Sequence, residues 1–503
     1  MSATRRLLII IAVMSATLIQ VLDMTIVNVA LPHIQGSLGV NADEISWTLT
    51  IYLVSSAIFM PLTGFFTARI GQKNYLLLSI AGFTIASALC GASTSLFEIV
   101  FFRFLQGVFG AALVPLSQAI MTSIYPDSER GKAMAIWGMG VMVGPILGPT
   151  LGGYLTELSN WRWIFYVNVP IGLMALLLTW QVVPDTLKKP RSMDWLGLFY
   201  VALAIGAGQY LLDRGNQQDW FNALDIKIAA LLSVGGLIAF ILHQFRHPTL
   251  MVFDLSVFRD RNFTVASLLL ALMGIGMFGA MVLLPIMLEG VLNYPVLTTG
   301  LVMAPRGISG MFSMIVVGKI TNYFDARWLI AIGIILSLLG IEGCTHYSEN
   351  INQWWIIWPL LLQGFGLSMI FVPLSTVAFA TLPAEKRADA AGVYSLMRTL
   401  GSSIGISVTI TLFTRHTQIA WNYLNGFIQP YNPAVYHYLS ALNLLPSQPL
   451  AASILGQELS NQAQMVAFVS VFYFIMASFI VMLPMVLLLK KAQKPATVVI
   501  TEE

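Results

Sequence analysis

The chain has 503 residues, of which 57% are hydrophobic and only 10% are Asp, Glu, Lys or Arg. Soluble domains carry about 25% charged residues, so this composition excludes an ordinary globular enzyme or binding module. A formal net charge of +3, with no dense basic run, excludes a nucleic-acid binder. The two cysteines, Cys90 and Cys344, both lie in apolar segments and are too few for a disulfide framework or a metal cluster.

A membrane span needs about 20 apolar residues. On that rule fourteen helices are expected, at 7–31, 47–68, 75–93, 97–121, 132–155, 163–182, 195–213, 225–245, 263–288, 298–322, 327–346, 354–380, 389–413 and 465–489. The fold class is therefore all-α and polytopic. The first run opens after Arg5-Arg6 and continues through Asp23 to Leu31. It is long enough to span and has no convincing cleavage site, so it reads as an uncleaved first helix rather than a signal peptide. Nineteen of the 26 Lys and Arg residues fall in loops on the N-terminal side, and only Arg162, Arg214, Lys227 and Arg415 fall opposite. By the positive-inside rule both termini are cytoplasmic and the number of spans is even. Residues 414–464, rich in Tyr and Pro and almost uncharged, read as one long outer loop whose aromatics suit a membrane interface or a partner.

An internal repeat divides the chain. Gln106-Gly107 and Val114-Pro115-Leu116-Ser117 recur as Gln363-Gly364 and Val372-Pro373-Leu374-Ser375. Pro126, Arg130, Gly144 and Gly148 recur as Pro383, Arg387, Gly401 and Gly405. The expected domains are a six-helix bundle at 1–190, an inserted helix pair at 191–250 and a second six-helix bundle at 251–503. Repeated halves facing a central site are a common transporter plan.

Charges inside apolar runs are costly and mark function. Asp23 lies in Gln20-Val-Leu-Asp23-Met-Thr25-Ile-Val-Asn28, and Arg103 in Arg103-Phe-Leu-Gln106-Gly107-Val-Phe-Gly110. They are the expected proton-coupling acid and its counter-charge. Arg103 aligns with Leu360 in the repeat, so this charge is not part of the repeated scaffold. Gln20, Gln106, Arg306, Gln363 and Arg398 are candidates to line a substrate cavity. Asp213, Glu289 and Glu342 are further intramembrane acids, with a helix-end acid the commoner case. The segment Gly144-Pro145-Ile-Leu-Gly148-Pro149-Thr-Leu-Gly152-Gly153 reads as a kinked, close-packed hinge at the interface between the halves. Gly64, Arg69, Gly71 and Lys73 form a short basic loop expected at the inner gate. No phosphate-binding Gly-Lys-Ser/Thr loop is present, which excludes an ATP-driven pump of that class. No nucleophile–base arrangement of recognisable spacing supports an enzyme.

These motifs together resemble the major facilitator superfamily, and within it the fourteen-helix drug:proton antiporter branch. Leu22 to Pro32 resembles that branch's first-helix signature, Gly64 to Lys73 the superfamily loop motif, Arg103 to Gly110 the fourth-helix motif and Gly144 to Gly153 the fifth-helix antiporter motif. Trp161 to Gly172 also matches. The likeness extends through Leu212-Asp213-Arg214-Gly215 and Arg261-Asn262-Phe263-Thr264 to the long outer loop, and is strongest to the EmrB group of exporters. The resemblance implies the major facilitator fold in a six-plus-two-plus-six arrangement and proton-coupled efflux of lipophilic compounds across a bacterial inner membrane. It implies no cofactor beyond the proton gradient, a periplasmic adaptor of the EmrA type and an outer-membrane channel of the TolC type. Ala68 departs from the loop motif, which usually carries an acid there. Alternatives from the residues alone are an exporter of a fatty acid or other endogenous metabolite, an importer on the same fold, and a non-transporting membrane scaffold or sensor.

Overall fold

The computed structural model describes residues 2–490 apart from 127–128, 187, 189–191, 248–251, 253, 322, 430 and 446. Lys189, Arg191, Lys491 and Lys494 of the topology argument, and Pro430 and Pro446 of the outer loop, lie outside the described residues. The described residues form helices and no strand. In chain order these are α1 (Ala3–Leu38), α2 (Ala42–Phe59), α3 (Thr63–Ile70), α4 (Gln72–Ala92), α5 (Leu96–Gly110), α6 (Leu113–Ile124), α7 (Arg130–Leu158), α8 (Trp163–Tyr166) and α9 (Asn168–Val182). They continue as α10 (Trp195–Arg214), α11 (Leu224–Arg246), α12 (Arg261–Gly290), α13 (Val296–Ile320), α14 (Ala326–Thr345), α15 (Gln353–Ala380), α16 (Arg387–Asn425), α17 (Pro433–Ala441) and α18 (Pro449–Val486). Thirteen stretches among the described residues are long and apolar enough to cross a membrane, making this a multi-pass membrane protein. The predicted span at 132–155 falls within α7, some of whose side chains lie outside the described ones.

Helix starts follow the capping residues. Ser2 accepts from Arg5 N, Asn41 and Glu44 form a reciprocal capping box, and Ser95, Asp260, Asp325 and Asn352 each accept from the first turn of the helix that follows. Each cap satisfies a backbone donor that the helix cannot. The predicted span 97–121 is two helices, because the chain turns at Ala111–Ala112 just ahead of Pro115, which brings no N–H of its own. The Gln20 side chain from α1 accepts the N–H of Val114 across this break at 2.9 Å. Likewise 47–68 is broken by a 3-10 turn at Met60–Leu62 that contains Pro61.

The largest departure from expectation is at 414–464, which is not a long loop. α16 runs on to Asn425 and α18 begins at Pro449, leaving only a short connection that contains α17. No Gly or Pro interrupts 414–425, so nothing stops the helix where its apolar character ends. Asn432 caps α17 with Pro433 in its first turn, and Val435, Leu439 and Ala451 make a small core between the elements.

The repeat is visible as repeated packing. A Cβ at Gly107 of α5 would meet Ser55 Oγ at 2.0 Å and Tyr52 O at 2.6 Å on α2. One at Gly364 of α15 would meet Arg306 O at 1.9 Å and Ser309 Oγ at 2.5 Å on α13. Gly144 and Gly148 of α7 press on Val21 and Thr25 of α1, as Gly401 and Gly405 of α16 press on Ala271 and Ile275 of α12. α10 and α11 pack on each other, and α10 reaches α2 and α16.

Helices α1–α9 meet α12–α18 at the ends that carry the basic loops. Gly131 lies against Thr321, Gly318 against Ala135, and Gly392 against Met60 O. Deeper in, the rings of Trp137 and Phe371 stack with centroids 5.7 Å apart. The stretch expected as a short basic loop is helical, with Gly64 and Arg69 in α3 and Lys73 in α4, joined at Gly71. Gly64 lies against Asp389 at the start of α16, where a Cβ would fall 1.9 Å from Oδ1. Gly71 adopts φ +90°, and a Cβ there would also strike Asp185. Arg69 is exposed, with its guanidinium over Phe65, and Lys73 is half-buried.

Because the neighbour of Gly364 is a backbone carbonyl that cannot swing aside, Gly364→Ala is expected to destabilise by about 1–3 kcal/mol. Gly235→Ala on α11 faces open space and is expected to be neutral or stabilising by about 0.5–1 kcal/mol. Thermal unfolding of the two purified variants checks this, and equal losses would show that the close approach is not required.

Candidate functional site

Asp23 lies near the middle of α1 and is wholly buried, with 0% of its surface exposed; Arg103 on α5 is 1% exposed. Arg103 Nη1 donates to Asp23 Oδ2 at 2.5 Å and to Gln106 Oε1 at 2.8 Å. Its Nε donates to Thr48 O at 3.0 Å. The guanidinium also lies over the Tyr52 ring, 4.1 Å from the centroid. The second carboxylate oxygen is occupied as well: Asp23 Oδ1 accepts from Gln106 Nε2 at 2.9 Å and from Asn168 Nδ2 at 3.2 Å. Asn168 in turn donates to Ser87 Oγ at 3.1 Å. Four helices, α1, α4, α5 and α9, thus supply one closed polar nest, and α2 lines it with the Thr48 carbonyl and the Tyr52 ring.

The magnitudes explain why both charges are so heavily hydrogen-bonded. An unpaired Asp or Arg at mid-membrane costs about 2.5–3.5 kcal/mol on insertion scales and more by simulation. A buried pair offsets its desolvation only when the remaining donors and acceptors also find partners. Removing one member strands the other.

The glycine segment acts on the acid's own helix. A Cβ at Gly144 would meet Val21 Cγ1 at 2.5 Å, one at Gly148 would meet Thr25 Oγ1 at 2.0 Å, and one at Gly152 would meet Ile26 Cγ1 at 3.0 Å. Thr25 Oγ1 donates to Gly144 O at 3.1 Å. Gly144, Gly148 and Gly152 therefore face α1 within the first half, rather than facing across the interface between halves. The face of α7 that meets α13 carries Gly131 and Gly138 instead. Gly153 is in ordinary contact with Val29. The side chains of Pro145 and Pro149 lie outside the described ones, although both residues are within α7.

The remaining sequence candidates divide. Gln20 and Gln106 are buried inside the first half, one closing the α5–α6 break and the other joining the nest, so neither lines an open cavity. Arg306 and Arg398 are half-buried. Among the described residues Arg306 Nη2 donates to Met277 O, at 3.4 Å. Arg398 borders a closed space with Gln118, Trp137, Phe371 and Tyr394. Gln363 is 2% exposed, and its Oε1 has no partner. Asp213 accepts from Thr50 Oγ1 of α2, and the adjacent Arg214 lies over Trp47, 4.8 Å from its centroid. These contacts fasten the C-terminal end of α10 to α2. Glu289 and Glu342 are exposed. Sequence reasoning missed Tyr52, Thr48 and Asn168 as parts of the nest. Of these, only Asn168, an amide inside the apolar run Val167-Asn168-Val-Pro-Ile, offered a signal.

The architecture has known counterparts. The structure aligns with the human organic anion transporter MFSD10 at a TM-score of 0.61 and 15% identity, covering 95% of this chain and 100% of that one. It aligns with a bacterial homologue of the lysosomal transporter Spinster at a TM-score of 0.55 and 16% identity, covering 99% and 100%. In sequence, the chain is 36% identical to the Multidrug export protein EmrB of Escherichia coli K12 over 95% of this chain and 94% of that protein. It is 34% identical to the Fatty acid resistance protein FarB of Neisseria gonorrhoeae over 94% of each.

If the nest is a coupled unit, Arg103→Gln and Asp23→Asn are each expected to destabilise by leaving the other charge buried without its partner, Arg103→Gln by about 3–5 kcal/mol. The double variant Asp23→Asn/Arg103→Gln is expected to lose clearly less. A double-mutant cycle by thermal unfolding reads this, and strictly additive losses would contradict it. The profile of the Major Facilitator Superfamily matches residues 13–406, and with that match, the helical fold and these relatives, the chain belongs to the Major Facilitator Superfamily.

Proposed function

We propose that this protein is a proton-coupled antiporter that exports lipophilic or amphipathic compounds by alternating access. The observation that carries the reading is the sealed nest of Asp23, Arg103, Gln106 and Asn168. It places a titratable carboxylate on a helix held by the glycine face of α7. Two relatives with near full-length matches are named for multidrug export and for fatty acid resistance, which supports efflux and keeps a fatty acid or other endogenous amphipath as a specific second reading.

In this scheme residues 1–190 and 251–503 are two bundles that rock about a central site, with the pair at 191–250 attached beside them. The contacts at Gly131, Gly318 and Gly392 belong to a state closed at the end with the basic loops. Substrate occupies the cavity while Asp23 is proton-free and paired with Arg103. After the halves rock, protonation of Asp23 weakens that pairing, substrate leaves, and the return stroke delivers the proton inside. The drive suffices: one charge is worth about 2.3 kcal/mol per 100 mV, and each pH unit adds about 1.4 kcal/mol. The segment Gly144 to Gly153 serves as the hinge, and Gly64 to Lys73 belongs to the inner gate. The scheme places the protein in a bacterial inner membrane with both termini cytoplasmic. The resemblance to the EmrB group extends it to an adaptor of the EmrA type and a channel of the TolC type, with the helical outer ends of α16 and α18 as the surface that would meet them.

Asp23→Asn keeps the shape of the nest and the bonds from Gln106 and Asn168 but removes its titration and leaves Arg103 without its counter-charge, at some cost in stability. It is expected to fold, to retain substrate binding and to lose gradient-driven transport of a lipophilic dye in everted vesicles. Undiminished transport by this variant would overturn the antiporter reading.

A further inference from the structure

The repeated packing allows the nest of the first half to be located in the second. Gly107 on Tyr52 and Ser55 corresponds to Gly364 on Arg306 and Ser309, so Arg306 stands where Tyr52 stands. Gly144 on Val21 and Gly148 on Thr25 correspond to Gly401 on Ala271 and Gly405 on Ile275, so Met273 stands where Asp23 stands. Leu360 replaces Arg103, and Gln363 retains the place of Gln106. The second half has therefore kept the amide and moved the cation to the neighbouring helix. The acid is gone.

What remains is electrically incomplete. Among the described residues neither Arg306 nor Arg398 has a carboxylate partner. Of the acids in the long helices of this half, Glu289 and Glu342 are exposed, Asp389 at the start of α16 lies against Gly64, and Glu458 belongs to the first turns of α18. Gln363 is 98% removed from solvent, yet its Oε1 is unpartnered. Gln106 in the corresponding place uses both amide atoms, donating to the acid and accepting from the arginine. Arg306 reaches towards α12 but finds only the Met277 carbonyl, one turn beyond Met273. Arg398 touches the same stretch of α12 from the other side, its carbonyl against Gly274. The first half's pair is buried and internally neutral; Arg306 and Arg398 are half-buried and have no carboxylate partner among the described residues.

We propose that Arg306 and Gln363 form a head-group site for the acidic end of an amphipathic substrate, with Arg398 adding to the positive field. The substrate's carboxylate takes the part that Asp23 plays in the first half. It accepts from the Arg306 guanidinium and from Gln363 Nε2, while Gln363 Oε1 accepts from Arg306, and the apolar tail lies along the faces where the bundles meet, once they part. Naming this occupant as a transported substrate rests on the efflux reading above; the site itself does not.

Three twelve-carbon probes that differ only in head group test it: dodecanoate, dodecan-1-ol and dodecyltrimethylammonium. Their equilibrium binding is measured on the full-length purified protein in phosphatidylcholine nanodiscs without a proton gradient. The unmodified protein is expected to prefer dodecanoate over both others by about tenfold or more, the size of one charge-assisted hydrogen bond. Arg306→Gln is expected to remove that preference while leaving dodecan-1-ol affinity unchanged, and Arg306→Lys to retain part of it. Equal affinity for the three probes, or equal losses for all three in Arg306→Gln, would overturn the proposal. Acid-selective binding by a protein that pumps nothing under a gradient would uphold the site and remove only the exporter; gradient-driven pumping without head-group preference would do the reverse.

Discussion

The buried pair of Asp23 and Arg103 is the constraint on which the first half of the molecule depends. Two opposite charges sit in a hydrocarbon-depth interior with essentially no solvent contact. That arrangement is tolerable because both carboxylate oxygens and the guanidinium find partners, in Gln106, Asn168, the Thr48 carbonyl and the face of Tyr52. Five helices must hold their relative positions for this to persist. In the proposed mechanism a change in the charge of Asp23 alters the packing of the bundle, and this is how a proton would be linked to a conformation.

In that mechanism the glycines would make the link mechanical. α7 approaches α1 so closely at Gly144 and Gly148 that a methyl group would collide with Val21 and Thr25, the residues on either side of Asp23. The same helix meets α13 of the second half through Gly131 and Gly138. α7 is thus in contact with the acid's helix on one face and with the other half on another. In the second half, α16 packs on α12 by the same glycine device, but where the first half carries an acid the second carries Met273. The two halves share a scaffold and differ in charge.

Much of this was legible in the sequence, for a physical reason. Charges in apolar runs are expensive, so Asp23 and Arg103 stood out, and the absence of a cationic twin at Leu360 set Arg103 apart from the scaffold. Matched Gln, Gly and Pro spacings disclosed the repeat because close helix contact tolerates few residue types. Other features were hidden. Hydropathy reports what lies in the membrane and not where a helix stops, so the polar continuation of α16 to Asn425 read as a loop. Helical spacing put Gln106 beside Arg103, but only the fold showed that both its amide atoms are spent on the ion pair. Tyr52 resembles any core aromatic until Arg103 is found above it. The glycine segment announced close packing without saying against which helix.

The account stands on a proton being exchanged at Asp23 in step with substrate. Infrared difference spectroscopy of the carboxylic acid C=O stretch, recorded on purified protein before and after substrate addition, addresses that directly. The account predicts a protonated-carboxyl band that disappears when substrate binds and is missing altogether from Asp23→Asn. A band that persists unchanged on binding, or one that survives in Asp23→Asn, would contradict it.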